Sequence, residues 1–552
     1  MNVLQKRPIL AGLFCLLAAY LTLFHELGTL PFFGSDEPRY AQIAKEMYQS
    51  GDLVTPTLEG RPWLEKPPLL FWTVATSFAS LGASEWSARL PNAILSLLVV
   101  AGVGVFAGTF RGARCGLFAF MILITSLLYV GYARAATTDL PLTAAYTLAM
   151  VSGFLAVNRT SFLWALVCGL ALGITVLAKG LVAIPLVILC LILYTIATQR
   201  RIPFGPALLA AASMVGITVP WLWSVWSANG ENFVITFLVN QHIARIATDL
   251  HHHSQPFWYY LPVLLGGFFP WVLFLPASAR SLWVKTKEPP SDERDLEILL
   301  WLWAALPFLF FSVSTGKLAG YILPIFPALS ILIAIQWDQS IKNNHLPRWM
   351  LRGLHTFPFL AVVLVLGAII GFARVFREPF VGIQLATVPL AASLVVGWAL
   401  KQRNLAAIVV ALVGFNTLGL ALIHTQGAPI VGRFQSTREL CLEALPCISA
   451  ERPLVFYAFH HFTTYYYAHG KVKPSPLHDP GALLAYMADK SQDSYIILTA
   501  DHGWSELNQL DGTKLLRQLG NFYLVELVPT PDFEEKLQNL HRKHLERLRL
   551  SR

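Results

Sequence analysis

The sequence predicts a polytopic α-helical membrane protein with a small α/β domain at its C-terminus. Hydrophobic residues make up 55% of the 552 residues and charged residues only 13%, whereas a soluble domain carries about 25% charged residues. Apolar runs long enough to span a bilayer recur along the chain as far as residue 424. The basic residues between them are concentrated in every second loop, which is typical of a multi-pass membrane protein.

A membrane span needs about 20 apolar residues, and the sequence predicts about thirteen spans. The first follows Met1–Arg7 and could be a signal peptide, but no cleavage site of small residues is evident, so we interpret it as an uncleaved helix. The apolar segment Leu69–Leu81 is short and is expected to lie along the membrane surface, within a first outer loop of residues 28–88. The spans are expected near residues 8–27, 89–110, 115–133, 140–157, 162–177, 181–198, 204–226, 259–280, 296–314, 320–338, 353–373, 381–400 and 404–424.

Positive charge in alternate loops predicts the orientation. Because basic loops remain in the cytoplasm, the N-terminus is predicted to be cytoplasmic, and an odd number of spans then places the C-terminus on the outer side. The net charge of +9 follows from these loops and does not indicate a nucleic-acid partner. The basic positions are Lys6-Arg7, Arg111, Arg114, Arg159, Arg200-Arg201, Lys285, Lys287, Lys342, Arg348, Arg352, Lys401 and Arg403.

Residues 425–552 are less apolar and are predicted to form a separate α/β domain on the outer side, after a membrane domain of residues 1–424. Helical patterns alternate there with stretches that have the composition of strands. The predicted strands are Pro453–Tyr457, Ser494–Thr499 and Asn521–Val525.

Other features of the C-terminal domain allow two interpretations each. The basic stretch Phe533–Arg552 has a helical pattern; a solvated helix is favoured over contact with anionic lipid headgroups. Cys441 and Cys447 have no metal-ligand spacing around them, which leaves a disulfide or two free thiols. The run Tyr465–Tyr467 is more typical of a domain core or interface belt than of a sugar platform.

The ionisable residues of the membrane domain concentrate on the predicted outer side, and the span interiors are almost free of charge. A transporter would hold such residues near the bilayer midplane and show paired halves with broken helices, and neither is evident. A cavity with both signs of charge suits group transfer from a lipid phosphate, because Lys and Arg stabilise the phosphate leaving group and a carboxylate orients or deprotonates the acceptor. The polar set comprises Asp36, Glu37, Arg39, Tyr40, Glu65, Lys66, Arg134, Asp139, Lys179, His242, Arg245, Lys317 and Tyr321.

Several of these residues also have structural interpretations. Asp36 precedes Pro38 and could cap a surface helix, although catalysis is favoured. Asp139 could cap a helix in the same way, and Lys179 before Gly180 could end one. Lys317 and Tyr321 are four residues apart and could share a helical face as interfacial anchors.

The adjacent histidines are expected in solvated loops. Three consecutive residues cannot all face one metal ion on a regular element, so His251–His253 do not predict a metal site. The same argument applies to His460-His461. No phosphate-binding glycine loop occurs in the chain, so a soluble nucleotide donor is not expected.

Five motifs in order resemble a known family, the C-type glycosyltransferases of the protein O-mannosyltransferase clan. Within the clan, the chain is most similar to the bacterial aminoarabinose transferases of lipid A. The similarity runs from Gly34 to about Pro327, and the C-terminal domain resembles that branch only in position and size. The motifs are Asp36–Tyr40, Trp63–Pro68, Thr138-Asp139, Gln255–Tyr260 with Pro262, and Gly316–Leu318 with Tyr321–Leu323.

The resemblance implies an inverting transfer of a sugar from undecaprenyl phosphate, on the periplasmic side of the bacterial inner membrane. The acceptor would be lipid-linked or a glycan, with lipid A phosphate as one candidate. By position, Asp36 would be the principal catalytic carboxylate and Asp139 the second acid. The further roles implied are donor-phosphate binding by Lys66, Lys179, Arg245 and Lys317, cavity lining by Glu37, Arg39, Tyr40 and Tyr321, and a non-catalytic divalent metal site at Glu65 and His242.

Two alternatives stay open at this point. One is a transferase of the same clan that moves another sugar to lipopolysaccharide core, a cell-wall glycan or protein. The other is a lipid or solute transporter.

Overall fold

The computed structural model describes residues 8–244, 255–285, 291–473, 475–490 and 492–550, without the side chains of residues 8–9, 242–244, 285 and 547–550. The chain folds into two compact units. The first comprises the chain up to Gly28, Met47–Thr57 and Pro62–Gly427. The second comprises Thr29–Glu46, Leu58–Arg61 and the chain from Ala428 onwards.

The protein is a multi-pass membrane protein, as predicted. In the described part of the chain, nine helices are long and apolar enough to cross a membrane, and up to eleven spans result if each of two bent helix pairs is one span. The bent pairs are Ala113–Ile124 with Leu127–Ala133, bent by 70°, and Tyr260–Gly267 with Trp271–Val284, bent by 105°. The nine helices are Glu85–Arg111, Asp139–Arg159, Phe162–Lys179, Phe204–Gln241, Asp292–Val313, Ala319–Lys342, Arg348–Arg374, Pro379–Lys401 and Leu405–Gln435.

The predicted total of thirteen spans depends on the shorter apolar helices. Leu10–Phe24 and Ala183–Thr198 coincide with predicted spans but are shorter than the nine helices above, so the total of thirteen stays a prediction. The third short apolar helix is Leu69–Leu81, the segment expected along the membrane surface. Together with Asp36–Ser50 it supplies the helices predicted in the first loop.

Local sequence signals explain where these helices begin and bend. Ser84 starts Glu85–Arg111 through a capping box with Ser87, which satisfies backbone N–H groups at the helix N-terminus. At the 70° bend, the Thr125 and Ser126 hydroxyls donate to the carbonyls of Met121 at 2.6 Å and Ile122 at 2.7 Å. Hydroxyls that bond back to the preceding turn weaken the helical ladder and favour a bend there.

Buried ion pairs connect several helices of the first unit. The carboxylates of Asp295, Glu297 and Asp338 are almost fully buried, and each meets an arginine that the sequence places in a predicted cytoplasmic loop. Charges in an apolar interior require such partners. The pairs are Arg200 with Asp295 at 2.8 Å, Arg111 with Glu297 at 2.6 Å and Arg114 with Asp338 at 2.6 Å.

The second unit contains the predicted α/β domain. Its sheet has four strands in the spatial order Val455–Tyr457, Tyr495–Ala500, Phe522–Leu527 and Thr513–Leu519, of which the first two are parallel and the other neighbours antiparallel. The helices are Arg438–Ala444, Leu445–Cys447 in 3₁₀ geometry, Phe462–Tyr467, Pro480–Asp489, Asp501–Leu507 and Phe533–Leu550. The strands are β3 (Val455–Tyr457), β4 (Tyr495–Ala500), β5 (Thr513–Leu519) and β6 (Phe522–Leu527), after a two-stranded hairpin of β1 (Thr57–Leu58) and β2 (Arg61–Pro62).

The three predicted strands of this domain are confirmed, and one strand was missed. β5 lies at the edge of the sheet beside β6 and exposes most of its side chains, so its sequence lacks the apolar alternation of a half-buried strand. Tyr465–Tyr467 are buried, as predicted for a domain core. Cys441 and Cys447 are both free thiols, the first buried and the second exposed, which decides between the two alternatives.

We predict that Asp338→Asn destabilises the protein by about 3 kcal/mol, because it removes a buried carboxylate that holds Arg114 at 2.6 Å and Lys342 at 2.9 Å. The unfolding temperature in detergent should fall accordingly. The matched control is Asp292→Asn, whose side chain is 85% exposed beside Arg200 and should change stability by under about 0.5 kcal/mol. Equal unfolding temperatures for the two variants would contradict the prediction.

Candidate functional site

Asp139 and Lys179 form an ion pair at the end of a helical hairpin. Asp139 is the first residue of Asp139–Arg159 and Lys179 the last of Phe162–Lys179. Because the two helices are antiparallel and similar in length, these ends meet, and the ammonium donates to Asp139 Oδ1. Both side chains are largely buried, at 13% and 14% exposure. An acid at a helix N-terminus and a base at a helix C-terminus also suit the helix dipoles.

The 3₁₀ helix Ala319–Ile325, which precedes the helix Phe326–Lys342, packs against this pair. The Lys179 ammonium lies 4.8 Å from the centre of the Tyr321 ring, a distance that permits a cation–π interaction. Gly320 approaches so closely that a Cβ there would meet Asp139 Oδ1 and lie 2.7 Å from Cζ of Tyr132. The structure thus brings Asp139, Lys179 and Tyr321 together.

A residue that the sequence analysis missed fixes the turn before Asp139. The Asn92 side chain is buried and its Nδ2 donates to the carbonyls of Ala135 at 2.7 Å and Thr137 at 2.9 Å. A buried amide on a span is costly without such partners. The polar residue inside the apolar run 89–110 was the signal that could have identified it.

Lys317 and Tyr321 do not share a helical face. Lys317 lies in the loop before the 3₁₀ helix Ala319–Ile325. Its buried ammonium donates to the carbonyl of Gln255 at 2.9 Å and to that of Ser314, and burial lowers the pKa of Lys317. Tyr321 instead faces Lys179. The interpretation of residues 317 and 321 as anchors on one helix face is therefore wrong.

Lys66 lies in a half-buried position on the first unit. Its ammonium donates to Oε1 of Gln241 at 3.0 Å and to the carbonyl of Glu65 at 3.4 Å. Neutral oxygens of Gln241 and Glu65 are thus among the groups that hold this cation.

Asp36 is the first residue of the helix Asp36–Ser50 in the second unit. Its Oδ1 accepts a hydrogen bond from Arg39 at 2.5 Å, and the Asp36 side chain is 43% exposed. The Arg39 guanidinium lies 5.5 Å from the ring centre of Tyr40 and 5.1 Å from that of Phe462. Glu37 and Tyr40 are buried. Asp36 is thus accessible, with its orientation fixed by Arg39.

Some predicted residues lie outside the described part of the chain. These are Arg245, His251–His253 and the side chain of His242. In the described residues, no group of three or more His, Cys, Asp or Glu side chains could hold a metal ion, whereas protein metal sites generally have at least three protein ligands. The metal site at Glu65 and His242 stays a prediction.

An apolar groove of about 530 Å³ runs along the same helix as Asp139. Pro141, Ala144 and Leu148 line it from the helix Asp139–Arg159, opposite Leu95 and Leu98 of Glu85–Arg111. Leu98 and Leu148 are exposed, so the groove is open at the surface of the helix bundle. Its lining includes Asn92, the residue that holds the turn before Asp139.

The chain matches known proteins along much of its length. Residues 10–229 match the family described as dolichyl-phosphate-mannose-protein mannosyltransferase. The undecaprenyl phosphate-alpha-4-amino-4-deoxy-L-arabinose arabinosyl transferase of Aeromonas salmonicida is 33% identical over 67% of this chain and 68% of that relative. The chain belongs to the protein O-mannosyltransferase clan, close to the aminoarabinose transferases. The transferase of the same description from Erwinia tasmaniensis is 31% identical over 70% of this chain and 71% of its own.

Against other relatives of this description the match is shorter. For the transferase of Pectobacterium carotovorum subsp. carotovorum, the identity is 36% and the match spans 57% of each chain. The fold is also similar to the crystal structure of ArnT from Cupriavidus metallidurans bound to undecaprenyl phosphate, with a TM-score of 0.78 and 24% identity over 95% of this chain and 98% of that chain. The predicted fold class and the resemblance stated from the motifs are confirmed.

We predict that Gly320→Ala lowers the unfolding temperature, because the added Cβ would collide with the Asp139 carboxylate and the Tyr132 ring. Overpacking of this kind costs about 1–3 kcal/mol. The control is Gly367→Ala, where a Cβ meets no atom within 4 Å. Because Gly367 lies inside a helix, its replacement by Ala should leave the unfolding temperature unchanged or raise it slightly. A Gly320→Ala protein as stable as the control would show that this close approach is absent.

Proposed function

We propose that this protein transfers a sugar from undecaprenyl phosphate to an acceptor on the periplasmic side of the bacterial inner membrane. The donor is undecaprenyl phosphate-α-4-amino-4-deoxy-L-arabinose, the compound in the names of its relatives, and the acceptor is a phosphate of lipid A. In this proposal the N-terminus is cytoplasmic and the C-terminus periplasmic.

The observation that carries the proposal is a buried cation beside an open apolar groove. A polyprenyl phosphate has an anionic head and a long apolar tail, so its site must offer both environments. The groove of about 530 Å³ is lined by the helix that Asp139 begins. Lys179 is held at the start of that helix by Asp139. The tail would occupy the groove and the phosphate would lie near Lys179.

In this proposal, the Lys179 ammonium stabilises the leaving group. During transfer, the bond between the sugar anomeric carbon and the phosphate oxygen breaks while an acceptor oxygen bonds to the same carbon from the opposite face. Negative charge then develops on the departing undecaprenyl phosphate. A lysine already fixed in a poorly solvated site stabilises that charge without reorganisation. Lys66, Arg245 and Lys317 are further candidates for the donor phosphate.

In the same proposal, the Asp36 carboxylate acts on the acceptor. A lipid A phosphate is already ionised and needs no strong base, so the carboxylate would orient the acceptor or hold the sugar. An acceptor hydroxyl would instead require Asp36 to remove its proton. The contact with Arg39 at 2.5 Å supports either role, because it fixes where the carboxylate points. Asp139 is proposed as the second acid, which positions Lys179.

We predict that Asp36→Asn lowers transfer at least about 100-fold, the usual contribution of a positioned acid or base. The protein should insert and unfold like the wild type, because Asp36 is 43% exposed. The assay uses purified protein with a panel of undecaprenyl phosphate sugars and lipid A, and detects free undecaprenyl phosphate by mass spectrometry. The control is Asp489→Asn, an exposed acid of the C-terminal domain. Full activity of Asp36→Asn would refute the assignment.

We also predict that Lys179→Met lowers kcat/KM for the donor about 100-fold, because it removes a charge that stabilises the leaving group. It would also leave Asp139 largely buried without this partner. The double variant Asp139→Asn/Lys179→Met removes both charges and should regain thermal stability without regaining activity. Lys401→Met, at an exposed helix end, should behave as wild type. An active double variant would contradict the role of Lys179.

The donor panel also tests the identity of the sugar. Release of undecaprenyl phosphate from the aminoarabinose donor alone would support the proposed donor. Release from another sugar alone would identify a transferase of the same clan with a different specificity. Absence of release from every donor in the presence of lipid A would count against the transfer reaction.

A further inference from the structure

The second unit contains a cavity that none of the roles above uses. It has a volume of about 370 Å³ and is lined by the Gly34-Ser35 backbone turn, Phe434, His461, Phe462 and Phe522, together with Gln435 and His460. All of these residues belong to the second unit. A cavity of this size is within the range of small-molecule sites, which are typically lined by aromatic residues with a few polar groups.

The aromatic wall is held together by ring contacts. The His461 ring lies 5.5 Å from that of Phe522, and the Phe459 ring contacts both, at 5.8 Å and 5.3 Å. The His460 ring meets Phe462 edge to face at 4.8 Å. These contacts order the rings before any ligand binds, so little entropy would be lost on binding.

The lining residues carry no fixed charge. None of the eight is Asp, Glu, Lys or Arg. Burial lowers the pKa of His461 to about 4, with a smaller contribution from His460, and burial also lowers the pKa of His460. Both shifts favour the uncharged imidazole at neutral pH. Nδ1 of His461 is 2.6 Å from the Thr463 hydroxyl, which fixes the ring. An anionic phosphate would find no cation in the lining itself.

The cavity adjoins the proposed acceptor carboxylate. Ser35 lines it and Asp36 is the next residue. Arg39, which pairs with Asp36 at 2.5 Å, also approaches the cavity lining. Its guanidinium lies 5.1 Å from the ring centre of Phe462, one of the lining residues. A ligand in this cavity would therefore lie beside Asp36 and Arg39.

We propose that this cavity binds a sugar ring of the transfer reaction, with the apolar C–H face of the ring against Phe434 and Phe522 and its hydroxyls toward His461 and Asp36. The faces of aromatic rings carry partial negative charge and attract the polarised C–H groups of a sugar. This inference rests on the proposed function. The sugar comes from one of two sources, the donor or the glucosamine headgroup of the acceptor, and the chemistry of recognition is shared.

The test uses the full-length protein in nanodiscs and measures KM and kcat for donor and acceptor separately. Phe434→Leu and Phe522→Leu remove one ring each. We expect KM for one substrate to rise about tenfold, the effect of losing about 1.4 kcal/mol of binding, while kcat changes less. The matched control is Phe533→Leu, a buried core position of the same unit that does not line the cavity.

A direct binding measurement separates this inference from the transfer reaction. Saturation-transfer NMR is recorded with two probes, glucosamine 1-phosphate for the acceptor and methyl 4-amino-4-deoxy-L-arabinoside for the donor. Signal from one probe that is lost in Phe434→Leu and Phe522→Leu, but kept in Phe533→Leu, supports the site and identifies the source. Probe binding does not require turnover. The measurement therefore detects a site in this cavity even if the wild-type protein transfers no sugar.

Two results would overturn the inference. One is unchanged KM for both substrates, with unchanged probe signals, in the two cavity variants. The other is an equal loss in Phe533→Leu, which would show that the rings only stabilise the domain.

Discussion

The helix bundle depends on the pairing of charges in an apolar environment. An ammonium or carboxylate that leaves water for the bundle interior loses several kcal/mol of solvation, which a partner of opposite charge or well-placed hydrogen-bonding groups must offset. Lys179 and Asp139 meet this condition for each other. Their pairing requires that the helices Asp139–Arg159 and Phe162–Lys179 lie side by side and end at the same level. The close approach of Gly320 to Asp139 then fixes the 3₁₀ helix Ala319–Ile325 and with it the position of Tyr321.

The same constraint gives several basic loop residues a structural role besides the orientation that their charge predicts. Arg111, Arg114 and Arg200 belong to the loops whose charge predicts orientation, yet each is tied to a buried carboxylate of a later helix. Loop charge sets orientation during insertion, and the same side chains later hold distant helices together. The Asp139–Lys179 pair differs from these three pairs in one respect. The helix that Asp139 begins also lines an open apolar groove, which could accept the tail of an amphipathic ligand. This difference distinguishes a candidate site from a structural clamp.

The second unit joins part of the first loop to the C-terminal domain. Residues 29–46 of the first loop belong to this unit together with the sheet β3-β4-β6-β5. The backbone N–H of Phe32 donates to the Tyr467 hydroxyl at 2.8 Å, and the Phe32 ring packs edge to face on Tyr466 at 4.8 Å. Asp36 is therefore oriented by a domain whose sequence begins some 400 residues later. The neutral aromatic cavity beside it suits the part of a substrate that carries no charge.

Composition and hydrophobic periodicity determined the fold class, the approximate positions of the long apolar helices and three of the four strands of the C-terminal sheet, because these features follow from local burial and propensity. The order of short motifs determined the family. Tertiary structure alone decided which ionisable residues meet. The Asp139–Lys179 pair joins residues 40 positions apart, Asn92 acts on a turn 43 to 45 residues away, and Lys317 turned out to face carbonyls instead of sharing a helix with Tyr321. Such contacts depend on how helices pack and where loops turn, and local sequence patterns do not show which distant residues these features bring together.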